Sequence, residues 1–196
     1  MEKKAALVVV DVQNDFCPGG ALAVTDGDQV VEPLNRYIGR HAKAGLPIFA
    51  TRDWHPEKTI HFKAYGGLWP THCIQGSKGA EFRADLALPD DAVIVSAGMA
   101  LTEQGYSGFD GVDSSGVGFA DLLRQSNVTH IYVGGLATDY CVKQTVLDGL
   151  KRGYAVTLLE DAIRGVELAP GDSLRAVQEM LQAGADAIHD SADLVL

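Results

Sequence analysis

Cysteine is scarce in this chain: there are three, an odd number, and Cys17, Cys73 and Cys141 form no C-x-x-C pair. That spacing excludes a disulfide framework and a zinc ribbon and leaves three free thiols. Basic residues are also short, with 16 Lys and Arg against 26 Asp and Glu, a net charge of −10, and no basic cluster. Nucleic acid and anionic membrane surfaces are therefore not expected as partners. No apolar run reaches the roughly 18 residues of a membrane span. The start, Met1-Glu2-Lys3-Lys4-Ala5, lacks the length and cleavage site of a signal peptide, so a cytoplasmic protein is expected. Internal repeats and low-complexity segments are missing too. A chain of 196 residues is expected to form one domain, 1–196, with a core large enough to carry one active site.

What is present is an alternation of apolar runs and helical patterns. Ala5 to Val12 reads as a parallel strand buried on both faces, with Asp11 near its C-terminal end, where open α/β sheets place their chemistry. A loop from Gln13 to Gly27 leads to a helix marked by Val30, Val31, Leu34, Tyr37, Ile38 and His41 that ends near Gly45. Further strands are expected at Leu46 to Thr51, Ala92 to Val95, His130 to Val133, Ala155 to Leu159 and Ala185 to Ile188. Helices are expected at Phe119 to Gln125, from the Cys141 region to Arg152 with Gly153 as C-cap, and from a Ser173 cap through Met180 and Leu181. The fold class is α/β: a doubly wound, mainly parallel six-stranded sheet with helices on both faces. Between Trp54 and Asp91 the apolar period vanishes, and a connection that long inside a domain is usually functional.

Three constellations carry chemistry. Gly134-Gly135-Leu136-Ala137-Thr138-Asp139-Tyr140-Cys141-Val142 reads as a strand end, a tight turn and a helix start bearing a thiol, with Thr138 or Asp139 as N-cap. Unpaired N–H groups and the helix dipole favour a thiolate there, which is expected to lower the Cys141 pKa. Asp53-Trp54-His55 sets two metal-ligand side chains on alternate residues, pointing the same way if the chain stays extended, and His61 or His72 from the loop can supply a third. Such a mixed set suits zinc, iron or manganese. In a doubly wound sheet the first strand and the one before Cys141 flank the switch point, so Asp11 faces Cys141 and can serve as its acid and base. Phe16, Trp69 and Tyr106 lie on loops at the same sheet edge, where aromatics either anchor the loops in the core, the default for any single one, or line a pocket for a flat ring.

Together these residues resemble the nicotinamidases, in the isochorismatase-like superfamily of cysteine hydrolases. The resemblance rests on Val10-Asp11-Val12-Gln13-Asn14-Asp15-Phe16 with Pro18-Gly19-Gly20-Ala21-Leu22, on Arg52-Asp53-Trp54-His55-Pro56, on Trp69-Pro70-Thr71-His72-Cys73, on Tyr106-Ser107-Gly108-Phe109, and on Gly135 to Val142. It implies that Cys141 attacks the carboxamide of nicotinamide with Asp11 as base. It implies that Asp53, His55 and His72 hold one divalent metal, zinc first, in the loop insertion 54–91, with His61 the less favoured ligand. Backbone N–H groups of Ala137 and Cys141 would form the oxyanion hole beside a cis peptide at Leu136-Ala137, and Phe16, Trp69, Tyr106, Leu136 and Ala137 would contact the ring.

One position departs from the pattern. The family carries a catalytic lysine after the third strand, and here the matching pair is Ala97-Gly98. The expected activity is hydrolysis of nicotinamide to nicotinate and ammonia through a Cys141 thioester, impaired by Ala97, with pyrazinamide as a further substrate. The alternatives are a catalytically silent nicotinamide-binding protein and a sibling amidase acting on another small amide. A homo-oligomer is compatible with the sequence, which does not specify the number of subunits.

Overall fold

A computed structural model describes residues 4–196, so Met1, Glu2 and Lys3, which begin the stretch read above for a signal peptide, lie outside the described residues. Six parallel strands form one sheet in the order β3-β2-β1-β4-β5-β6, with β1 Lys4–Val10, β2 Ile48–Asp53, β3 Val93–Ala97, β4 Val128–Leu136, β5 Ala155–Arg164 and β6 Asp186–Ile188. The apolar faces of this sheet are covered on both sides, as a parallel sheet requires. Helix α1 (Val31–Lys43) packs Leu34, Tyr37 and Ile38 onto one face with Leu7, Val9 and Leu159. Helices α2 (Phe119–Gln125), α3 (Lys143–Lys151) and α4 (Asp172–Gln182) bring Phe119, Val146 and Met180 to the other face, against Val8, Val95, Ile131 and Leu158. Among the described residues no helix is long and apolar enough to cross a membrane.

The strand order reverses between β1 and β4, which run side by side with Val10 opposite Gly135. That contact demands glycine: a Cβ on Gly135 would sit 2.1 Å from the Val10 carbonyl oxygen, and its φ is 128°. The crevice above this junction is where doubly wound sheets bind ligands.

Several boundaries differ from the sequence expectation. Strand β1 stops at Val10 because Asp11 takes a left-handed φ of 49°, which turns the chain out of the ladder. Strand β4 runs on through both glycines, and β5 continues past Glu160-Asp161 to Arg164, with a register irregularity between Val133 and Gly135. Ser173 is not the cap of α4. Gly171, at φ 84°, holds that position, and the Glu167 carboxylate accepts from Gly171 N at 2.8 Å and Ser173 N at 2.6 Å. Helix α3 ends with Arg152 as its C-cap, and Gly153, at φ 87°, follows it.

Candidate active site

Cys141 reaches the crevice on a wide helical turn. The segment Thr138–Val142 closes with Val142 N donating to Ala137 O at 3.1 Å, five residues back, before α3 takes up ordinary helical geometry. Neither Thr138 nor Asp139 caps it, because Ala137 precedes the turn and no side chain caps it. The Asp139 carboxylate is engaged elsewhere, accepting from Val166 N and Glu167 N at 2.9 Å each, and so ties the loop after β5 to the Cys141 turn. The Leu136-Ala137 peptide is cis.

Asp11, from the end of β1, meets Cys141 across the switch point: a carboxylate oxygen of Asp11, one of Asp53 and Cys141 Sγ lie within 4.8 Å of one another. Thr51 Oγ1 donates to Asp11 Oδ1 at 2.6 Å and holds the carboxylate in place. Burial, reinforced by the nearby Asp53 charge, pushes the Asp11 carboxyl up to about 8. The same forces act on the thiol. Burial first, then the Asp11 and Asp53 charges, push Cys141 well above the usual thiol range. The expected lowering by the helix start is therefore overturned, because desolvation and two carboxylates outweigh a half-charge of dipole. Ala97 ends β3 as the register partner of Asp53 and brings no compensating cation.

The neighbouring cluster gathers Asp53, His55, His61 and His72, whose ligand atoms all lie within 4.8 Å of one another and whose side chains are all buried. Asp53 Oδ2 is 3.4 Å from His55 Nε2 and 3.6 Å from His72 Nε2. Each histidine turns Nδ1 to an outer partner: His55 to Gly98 O at 3.0 Å, His72 to Pro70 O at 2.7 Å, and His61 to Gln104 Oε1 at 3.0 Å. That arrangement frees the Nε2 atoms for a metal. Asp53 Oδ1 and His55 Nε2 are buried without a hydrogen-bond partner, the signature of a donor set that fits an ion. Burial acts against ionising Asp53, but the adjacent His55 and His72 imidazoles overcome this and hold the carboxyl below its ordinary range. His61, pushed down to about 4 by burial and then by His55, stays neutral and able to ligate. It stands inside the cluster, although the resemblance ranks it below His72 as a ligand. Gln13 fixes the aspartate from behind, donating Nε2 to Asp53 O at 2.8 Å and Ala80 O at 2.9 Å while accepting from Asp53 N at 2.9 Å.

A narrow cavity links the two groups. Phe16, Trp69, Tyr106, Ala137 and Cys141 line it with Asp53, His61 and His72. Trp69 Nε1 donates to Tyr106 OH at 2.8 Å, which sets both rings on one wall. Leu136 does not line it: its side chain is fully buried in the core beneath α1.

A family model described as the isochorismatase domain matches residues 5–190. The chain belongs to the isochorismatase family. This isochorismatase-family chain is 40% identical to the nicotinamidase of Escherichia coli (strain K12), covering 92% of each. It is 38% identical to the nicotinamidase/pyrazinamidase of Mycobacterium tuberculosis, over 95% of its own length and 99% of the relative's. The crystal structure of the Pyrococcus horikoshii pyrazinamidase in complex with zinc superposes with a TM-score of 0.87 at 45% identity, covering 95% of this chain and 99% of that one.

In this isochorismatase-family site, sequence reasoning missed Tyr140, Leu22 and Val166, which also line the cavity, and the Gln13 and Gln104 supports. Tyr140 packs edge-on against Trp69, with ring centroids 4.8 Å apart. Its place next to Cys141 was the one available signal. Leu22 and Val166 come from loops whose approach to the crevice has no local pattern.

Proposed function

We propose that this chain is a metal-dependent amidohydrolase that converts nicotinamide to nicotinate and ammonia, with Cys141 as nucleophile and Asp11 as proton carrier, at a rate held down by Ala97. The observation that carries the reading is the meeting of Asp11 and Cys141 within 4.8 Å beside the Asp53 and histidine cluster. Nicotinamidases among the relatives support the substrate, and pyrazinamide, a ring of the same size, is a second one.

The steps follow from the residues. As Cys141 Sγ bonds to the carboxamide carbon, its proton passes to Asp11, whose burial gives it the affinity to take it. The oxygen that gains charge lies against the backbone N–H groups of Ala137 and Cys141. The C–N bond breaks, Asp11 returns the proton to the leaving nitrogen, and ammonia departs from a thioester. Water then attacks the thioester carbon and gives a proton to Asp11, the thiolate leaves and recovers that proton, and the acid product loses its remaining proton to solvent or ammonia as nicotinate. Phe16, Trp69 and Tyr106 hold the ring and exclude water. Asp53, His55 and His72, with His61 beside them, would hold a divalent ion, zinc first, and when bound it supplies a positive anchor for the pyridine nitrogen or its water.

Ammonia release from nicotinamide by concentrated, metal-loaded protein tests the reading. Slow release that disappears in Cys141→Ala is expected. Failure of the protein to bind or turn over nicotinamide would overturn it. The lack of a lysine or arginine among the described groups acting most strongly on Asp11 favours a second reading, a protein that binds nicotinamide without turnover. Binding without ammonia release, even from the lysine variant at position 97, would select it.

A further inference from the structure

Asp53 belongs to two convergences at once. Its Oδ2 faces the imidazoles of His55 and His72, and its Oδ1 is buried with no hydrogen-bond partner. In the second convergence a carboxylate oxygen from each aspartate and Cys141 Sγ fall within 4.8 Å of one another, and all three side chains are buried. Two carboxylates in one desolvated site repel unless a cation stands between them. Among the described residues, the groups that act most strongly on Asp11 are Asp53, Thr51, Cys141 and His55, with no lysine or arginine. Ala97, the register partner of Asp53, leaves the adjoining position with neither charge nor donor.

Two buried carboxylates and a thiol within 4.8 Å of one another make a donor set of mixed hardness. Zinc-like ions take such a set, with carboxylate oxygens near 2.1 Å and sulfur near 2.3 Å, approximate values for tetrahedral sites. A carboxylate that reaches two such sets is the usual bridge of a two-metal centre, whose ions stand roughly 3.5–4 Å apart.

We propose that Asp11, Asp53 and Cys141 form a second divalent-cation site in this chain, bridged by Asp53 to the histidine cluster. As the metal–sulfur bond forms, the thiol proton leaves to solvent and the sulfur lone pair is committed to the ion. The filled site therefore removes the nucleophile, and any hydrolysis by Cys141 falls reversibly as the second ion binds. The site is read by binding alone and does not depend on the amidohydrolase reading.

Metal-free protein is saturated with zinc, passed through a desalting column and analysed for its elemental content. The wild-type chain is expected to retain two ions, and Asp11→Asn, Cys141→Ser and Ala97→Lys one each, since the lysine ammonium takes the place of the second ion. Cobalt(II) gives an independent view on the folded wild-type chain: a thiolate-to-cobalt charge-transfer absorption is expected in the near ultraviolet, lost in Cys141→Ser and kept in Cys73→Ser. A wild-type chain that saturates at one zinc, or a cobalt form whose thiolate absorption is missing or survives in Cys141→Ser, overturns the proposal.

Discussion

Asp53 and Ala97 are register partners on β2 and β3, so the alanine methyl and the aspartate carboxylate project from the same face of the sheet, toward the side where Asp11 and Cys141 meet. A cation at position 97 would neutralise the repulsion between the two carboxylates, favour the thiolate, and balance the charge of the tetrahedral intermediate. Ala97→Lys is therefore expected to raise ammonia release from nicotinamide by at least about 10²-fold, roughly 3 kcal/mol of transition-state stabilisation. The two forms must be compared at equal metal loading. Equal rates would show that position 97 has no part in catalysis.

Alkylation should discriminate among the thiols. Cys141 lines the cavity and is 8% exposed, whereas Cys17 and Cys73 are 0% exposed, and burial pushes Cys17 up to about 11. Limiting iodoacetamide is expected to modify Cys141 first. The reaction should be slow at neutral pH, because only the thiolate attacks and the Cys141 thiol titrates above the usual range, and it should accelerate as pH rises. Peptide mapping that finds Cys17 or Cys73 modified ahead of Cys141 would contradict this.

Metal retention should depend on Gly98 as well as on the ligands. A Cβ at Gly98 would lie 2.4 Å from His55 Cε1, at a φ of 66° that side chains resist, and the Gly98 carbonyl orients the same ring. Gly98→Ala is expected to lose tight zinc binding although Asp53, His55 and His72 are all intact, as His72→Ala does. His61→Ala should cost only about 10- to 100-fold in affinity, the range for a supporting partner. Competition with a chelating dye measures all three; unchanged affinity in Gly98→Ala would show that His55 is not held by that contact.

Gln13→Leu keeps the volume of a fully buried side chain but leaves Asp53 N, Asp53 O and Ala80 O without partners. A loss of about 2–4 kcal/mol is expected in urea unfolding, since each buried group left unpaired costs about 1–3 kcal/mol and part is recovered by relaxation. A variant within about 0.5 kcal/mol of the parent would mean that water replaces the amide.

The elements themselves are written in the local sequence. Phe119 to Gln125 is a helix at those residues, and the apolar runs that begin at Ala155 and Ala185 become β5 and β6, because burial on one stripe or on both faces leaves a period that each segment carries alone. The five motif blocks likewise single out Asp11, Asp53, His55, His72 and Cys141, residues that the fold gathers into two adjoining groups. Only tertiary structure decided that His61 joins the cluster, that Leu136 turns into the core while Tyr140 lines the cavity, and that Glu167 rather than Ser173 serves the start of α4. It also reversed the expected ionisation of Cys141, since the helix start is a property of its own segment whereas Asp11 lies 130 residues earlier in the chain. Periodicity and capping are short-range and can be read along the chain. Desolvation and Coulomb repulsion act through space, between groups whose distance is set only when β1 and β4 pair.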